Sequence, residues 1–305
     1  MKRHAFLLVP FALYASATLA QTTSCSGQAV AVSGLKNGKA LPDGTIAGFA
    51  KMNINIDGYG RAYHPTNAEA GALIHLCNAG EVFLPNGVSY HGSRDNPTCA
   101  GRFMRDFARI RAAGWNNPSV GAIRWYGVLG RGSARIGGRA VNAVTPVLQA
   151  DGSGFYVSPT KLADSSVADE ADQSRYPNPL KIPAAVIPSS GVLSAHGVVM
   201  GSFGVAIDSD RRIAVPFIVG DAGPRVGEGT PALARRVAGL PVSEQISRKN
   251  RYAGQVDAPR VLWVFFGRNA APISYDRRDE QAAVQGAEEA FTRWGGMQRL
   301  AKCLR

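Results

Sequence analysis

The chain has 305 residues, with 34 Lys and Arg against 22 Asp and Glu, a formal net charge of +12 and 45% apolar residues. Such a balance attracts polyanions or anionic surfaces and weighs against a cationic polymer as partner. No zinc-finger, basic-zipper or stacked-aromatic pattern supports nucleic-acid binding, and no segment offers about twenty unbroken apolar residues for a membrane span.

The opening "MKRHAFLLVPFALYASATLA" pairs Lys2 and Arg3 with a short apolar run and a small-residue tail, the pattern of a secretory signal peptide cleaved after Ala20. Loss of Lys2 and Arg3 leaves 32 basic against 22 acidic residues, a balance of +10. The expectation is an exported protein, secreted or periplasmic, in which residues 21–305 form a single domain with its core at about 50–267 and a helical extension at 268–305. The four cysteines, Cys25, Cys77, Cys99 and Cys303, fit no zinc spacing and read as two disulfides in an oxidising compartment. Of the three connectivities, Cys77 with Cys99 and Cys25 with Cys303 is favoured, because the first pair is close in sequence and the second ties the ends together.

"KMNINID", 51–57, alternates strictly, so a strand sets Met52, Ile54 and Ile56 on one side and Asn53, Asn55 and Asp57 on the other. Residues 100–113 carry Phe103, Met104, Phe107 and Ile110 on a helical stripe that Gly114 ends. Arg102, Arg105, Arg109 and Arg111 form that helix's solvated face. Further strands are expected at 122–129, 154–158, 182–187, 197–207, 212–220 and 260–267, with Pro216 marking an edge or a bulge in the fifth. "GRGSARIGGR", 130–139, lacks a phosphate loop's ending and reads as a loop near a cleft. The last helix, 279–294, spaces Ala283, Ala287, Ala290, Phe291 and Trp294 for packing.

"VGDAGPRVGEG", 219–229, places Asp221 and Glu228 seven residues apart between an apolar strand and a short helix. Thr230 is suited to cap that helix, Pro231 to open it and Gly239 to end it. Gly220, Gly223, Gly227 and Gly229 let the backbone turn sharply and leave space around both acids. Two carboxyl groups on one accessible turn are what hydrolysis of a glycosidic bond needs, one to protonate the leaving oxygen and one to activate water or attack the sugar. The structural alternative is turn hydrogen bonding and a helix-dipole contact. No Gly-x-Ser-x-Gly elbow supports a serine hydrolase. Trp125, Tyr126, Phe155, Tyr156 and Tyr176 are candidates to stack on sugar rings or to pack in a core.

The same stretch resembles glycoside hydrolase family 75, the fungal-type chitosanases and their bacterial relatives, in which a strand ends in an Asp before Gly-Pro and a Gly-Glu precedes a helix. "KMNINIDGYGRAYHPTNAEAGALIHLCNAG", "GFYVSPTKLAD" with "RYPNPLKIPAAVIP", and "GQVDAPRVLWVFFG" are similar to the family's opening, central and closing segments, so the likeness spans roughly residues 50–267 in order. The resemblance implies a mainly β (α+β) fold, a β-barrel with peripheral helices that is double-psi-like by analogy with other polysaccharide-acting proteins. It also implies a catalytic pair in Asp221 and Glu228. Glu228 is taken as general acid and Asp221 as general base of an inverting hydrolysis, with the reverse division as the alternative. No metal or organic cofactor is implied, and the partner is a polysaccharide met by a monomer. Asp57, Asn53, Asn55 and Tyr156 are the expected substrate-binding residues. The family's opening strand is commonly richer in acids, whereas Asn53 and Asn55 stand here as amides, which reduces complementarity to chitosan and points to N-acetylated chains as alternatives. The acidic run 163–172 (Asp164, Asp169, Glu170, Asp172) is either a subsite for a cationic sugar or a solvated loop. Cleavage of peptidoglycan glycan, including lytic chemistry by a single acid such as Asp57 or Asp221, and a non-catalytic wall-binding role are the other functional readings.

Overall fold

The computed structural model describes residues 25–304, so the expected leader lies outside the described residues. In chain order the strands and helices are β1 (Gln28–Ala29), β2 (Lys36–Ala40), β3 (Ile46–Ile54), β4 (Gly80–Phe83), β5 (Ser89–His91), α1 (Met104–Ala112), β6 (Ala122–Trp125), β7 (Gly130–Ile136), β8 (Arg139–Pro146), β9 (Ala184–Pro188), α2 (Val192–Ala195), β10 (Phe203–Asp208), β11 (Ala214–Gly223), β12 (Glu228–Gly229), α3 (Pro231–Val237), β13 (Val256–Phe265), α4 (Glu280–Trp294) and α5 (Gly296–Cys303). The fold is mainly β. Six strands close on themselves in the order β3, β12, β9, β11, β10, β13 and back to β3. The β3–β12 and β9–β11 pairs are parallel and the other four antiparallel. Closure removes the free edges that an open sheet would leave unpaired.

Alternation along these strands sorts side chains between two cores. Ala50 and Met52 of β3, Phe217 and Val219 of β11, and Trp263 and Phe265 of β13 fill one side, where Phe217 meets Trp263 and Phe265 edge-on at 5.6 and 5.5 Å. Val205, Ile207, Leu262 and Val264 belong to the opposite face and are covered by Ala283, Ala287, Ala290 and Trp294 of α4. Strands β10 and β13 are therefore apolar on both faces, which is why "VLWVFF" shows no alternation. Helix α4 opens on Asp279, whose side chain accepts the Ala282 N–H, and ends at Gly295 with φ 120°.

Residues between β3 and β8 build a second layer around Ile56, Leu76, Phe103, Phe107, Ile110, Ile123 and Trp125, with α1 on the sheet β5-β4-β6. The four arginines of the expected solvated face are exposed. Residues 130–146, expected in part as a loop, form the hairpin β7–β8. Its turn residues Gly137 and Gly138 both have positive φ, 52° and 80°, a conformation that two-residue hairpin turns require and that glycine adopts without steric cost. Residues 154–158 make a single bridge, Leu148 to Tyr156, in place of the expected strand. Residues 197–202 are turn, and β10 starts only at Phe203. Pro216 lies inside the closed ring, but β9 joins β11 only from Ile218 onward, so one flank of Pro216 meets no strand there.

Both disulfides join the favoured pairs, Cys77–Cys99 and Cys25–Cys303. No helix among the described residues is long and apolar enough to cross a membrane. The bond across 22 residues holds the start of the π-turn before α1 against the segment leading into β4. Replacing Cys77 and Cys99 together by Ser is expected to cost about 3 kcal/mol, the loop-closure contribution for a ring of that size; urea unfolding of the two proteins measures it, and an unchanged midpoint would contradict it.

Candidate functional site

The β3–β12–β9–β11 arc supports a cleft of about 960 Å³ whose lining includes Asn53, Asn55, Asp57, Asp221 and Glu228. Register explains why these polar groups share one face. In β9, Ala185 and Ile187 belong to the core that holds Phe217, and Val186 points the other way, into the cleft. Strand β11 pairs Val219 with Ala185 and Asp221 with Val186, so Gly220 is an extra residue, a bulge. In an unbulged register Gly220 would pair with Val186 and Asp221 with Ile187, which would turn Asp221 into the apolar interior. On the other flank Gly229 pairs with Ala185, which sets Glu228 beside Val186, and Glu228 itself pairs with Asn53 of β3. Asn53, Glu228, Val186 and Asp221 thus form one rung across four strands. Asp221 and Glu228 flank β9, and two strand spacings put their Cα atoms about 9–10 Å apart on a common face.

Glycine has more than one task in this turn. Gly227 alone of the four takes a positive φ, 118°. At the other three a Cβ would collide, with Ala184 at 2.9 Å for Gly220, with Val186 at 2.8 Å for Gly223, and with Met52 Sδ and Leu233 at 2.8 and 2.9 Å for Gly229. These three serve close packing of strands more than open space around the acids. Thr230 caps α3 as expected, accepting from Leu233 N at 3.3 Å. Its hydroxyl also accepts from Ala184 N at 2.9 Å and donates to Ile182 O at 2.8 Å, which fastens the turn to β9.

Asp221 Oδ1 accepts N–H groups from Ala222 at 2.8 Å and Lys161 at 3.0 Å, and Oδ2 accepts from Asn55 Nδ2 at 3.3 Å. The Asn55 carbonyl accepts the Asp57 N–H at 2.8 Å, so one amide links the two acids. Asp57 Oδ1 accepts from Tyr63 OH and from Ser158 Oγ, each at 3.2 Å. Strand β3 ends at Ile54, so Asn55 and Asp57 belong to the turn after it, yet both keep the polar face expected of an extended strand.

Burial dominates the electrostatics. Asp57 is pushed well above the usual carboxylate range by burial and then by the charge of Asp221, with Glu228 adding to the rise against the hydrogen bonds from Tyr63 and Ser158. Asp221 is raised by burial, but the N–H groups of Ala222 and Lys161 and the Asn55 amide all favour its ionised form. Glu228 is raised by burial and by Asp221, against the pull of Arg225 and Lys51. Three carboxyl groups therefore share one field, and Asp57 is the one that the field drives hardest toward the neutral form.

Other candidates separate cleanly. Trp125, Phe155 and Tyr156 are buried away from the cleft, whereas Tyr176, also buried, reaches its lining. Tyr156, expected at the substrate, is 3% exposed and does not line the cleft; its ring packs in the core with its centre 6.2 Å from that of Trp125, where apolar burial outweighs any sugar contact. Tyr126 is 51% exposed and does line the cleft. In the acidic run, Asp164 accepts from Ser166 and from Arg277 N, which hold its carboxyl down at about 2, and Asp172 accepts from Ser174 N and Arg277. Those acids pin loops. Of the run's acids Glu170 alone lines the cleft, with Arg131 3.8 Å away. Among the described residues only His75, Cys77 and Cys99 gather three potential metal-ligand atoms, and the disulfide consumes both thiols.

Sequence reasoning missed Tyr63, Ser158 and Tyr252, which are isolated in the chain, and Gln173, which donates to Gly58 O and Ser158 O at 3.0 Å each and so holds the Asp57 turn in place.

Because the folded state raises the Asp57 pKa, it binds this proton more tightly than the unfolded chain does, and stability falls as pH rises from the unfolded pKa toward the folded one. Asp57→Asn keeps the carbonyl acceptor for Tyr63 and Ser158 without the charge. The variant is expected to melt above wild type at pH 7, with the difference closing as pH approaches about 4; melting curves across that range check it, and a gap that widens on acidification would contradict it.

No protein-family model matches the chain, and no curated protein sequence matches it.

Proposed function

We propose that this is an exported glycoside hydrolase that cuts within β-1,4-linked amino-sugar polymers, chitosan or a related polysaccharide, by a two-carboxylate inverting mechanism. The observation that carries the reading is the rung that sets Asp221 and Glu228 on one face of a cleft, either side of β9. A Cα spacing of about 9–10 Å allows the carboxyl groups to stand in the about 6.5–9.5 Å range of inverting enzymes, with room between them for water and the sugar. Asp221, with three donors favouring its charge, suits the base that deprotonates the attacking water. Glu228, raised by burial, suits the acid that protonates the leaving oxygen. As the glycosidic bond breaks, the Glu228 proton passes to the departing hydroxyl, water oxygen bonds to the anomeric carbon, and Asp221 takes the proton that the water gives up. The leader and the two disulfides support a secreted or periplasmic place of action.

A second reading is favoured by Asp57: a carboxyl beside the cleft that burial and the neighbouring acids push toward the protonated form is also what single-acid lytic cleavage of a glycan would use. Hydrolysis leaves reducing ends and consumes water, whereas the lytic route leaves anhydro ends.

Glu228→Gln and Asp221→Asn are each expected to lower reducing-end release from chitosan or peptidoglycan glycan by about 10²–10⁴-fold, the range of general acid–base catalysis. Full activity in both variants would remove the pair from the mechanism, and anhydro products abolished by Asp57→Asn alone would favour the lytic route.

A further inference from the structure

We propose that the cleft selects an amino-sugar polymer whose nitrogens are acylated and which carries carboxylate groups, in preference to a polymer of free ammonium sugars; this rests on the polysaccharide reading above and narrows it.

Of the four acids that line the cleft, three are partnered from within, and Glu228 has the cations Lys51 and Arg225 acting on it. Asp221 accepts three hydrogen bonds, Asp57 accepts two on one oxygen, and Glu170 faces Arg131 at 3.8 Å. The two positions of the opening strand that could add acids are amides, and Asn53 stands in the same rung as Glu228. An amide there can donate to an acyl carbonyl, and it offers no charge to an ammonium group. The positive groups are the ones with capacity to spare. Arg94 and Lys161 line the cleft and are exposed, and neither has an ion pair among the described residues. Lys161 acts on Asp221, and Lys51 and Arg225 act on Glu228, each lowering the acid it faces. A polycationic chain entering this cleft would meet the Lys161 ammonium and the Arg94 guanidinium at its walls and the longer-range repulsion of Lys51 and Arg225 near Glu228, whereas carboxylates along a chain would meet partners at those walls.

Two phenol rings give the chain somewhere to lie. Tyr126 and Tyr252 are 51% and 47% exposed and both line the cleft. Tyr252 is held by the Arg251 guanidinium 4.5 Å from its ring centre, and Tyr126 leans on His91 at 6.1 Å. Both share the cleft lining with Tyr63, the donor to Asp57, and with the three acids. Exposed, oriented aromatic rings bind the apolar face of a sugar without regard to its charge. In this division the tyrosines supply affinity for any such chain and the cations supply the choice among chains.

The test uses the disulfide-bonded mature protein carrying Asp221→Asn, titrated calorimetrically with three probes of equal length: a glucosamine hexamer, an N-acetylglucosamine hexamer, and an amidase-treated peptidoglycan glycan strand bearing lactyl carboxylates. The expected order is the acidic strand tightest and the glucosamine hexamer weakest, with a gap of about ten-fold or more between them, the scale of a few exposed charge pairs. That gap is expected to shrink between about 0.05 and about 0.5 M salt. Arg94→Gln with Lys161→Gln is expected to remove most of the acidic strand's advantage and leave the N-acetyl hexamer unchanged. Tyr126→Ala or Tyr252→Ala is expected to weaken all three probes alike. Glucosamine hexamer bound as tightly as the acidic strand or more tightly would overturn the selection, even where wild-type protein still cleaves chitosan and the hydrolase reading stands. Failure of all three probes to bind, together with no cleavage of any of them by the wild-type protein, would overturn the polysaccharide reading and this inference with it.

Discussion

One extra residue in β11 is the constraint on which the cleft depends. In a regular strand the side chain two places beyond Val219 would share its side and be drawn into the core with Phe217 and Trp263, where a carboxyl group would have to be neutral or paired. The bulge at Gly220 moves Asp221 to the opposite face without disturbing the apolar alternation that precedes it. Only glycine fits, because any side chain there would run into Ala184. The short strand β12 completes the arrangement from the other flank, and its parallel pairing with β3 is what carries the polar edge of "NINID" to the same place.

The three acids do not behave as equals, although all are partly buried in one cleft. Their differences come from which donors each can reach. Backbone N–H groups and an amide converge on Asp221 and favour its charge; Glu228 has the charges of Arg225 and Lys51 acting against its burial; Asp57 must accommodate the field of the other two with hydroxyl donors on one oxygen. Asn55 couples the system mechanically, since its two ends hold the Asp57 backbone and the Asp221 carboxyl. Replacing it with an acid, as a more acidic opening strand would, would exchange a hydrogen-bond donor for a fourth negative group in the same small volume. The amide is thus part of the electrostatic design of this particular cleft.

What was legible in the chain followed from local rules. Alternation at 51–57, the Thr230–Pro231 start of α3, the spaced alanines of α4 and the favoured cysteine pairs all reflect physics within a few residues or, for the cysteines, a short list of choices. The cleft's supporting network was illegible because it joins residues far apart: Ser158 to Asp57 across 101 positions, and Asn55 to Asp221 across 166. Nothing in the immediate surroundings of Ser158 or Gln173 distinguishes it from an ordinary loop residue. Tyr156 illustrates the opposite error, since an aromatic ring in a loop has the same composition whether it faces sugar or core. The hairpin at 130–146 was hidden by its arginines, whose long side chains leave a strand's faces looking equally polar.

The bond between Cys25 and Cys303 makes the described part of the chain, in effect, a ring. The exposed stretch around residues 240–250, between α3 and β13, could then be severed without releasing either half: the two segments would remain one covalent body, with a permuted backbone running from the new end through α4 and α5, across the sulfurs, and on into the barrel. Proteolytic wear at such a loop becomes a change of connectivity in place of a loss of structure.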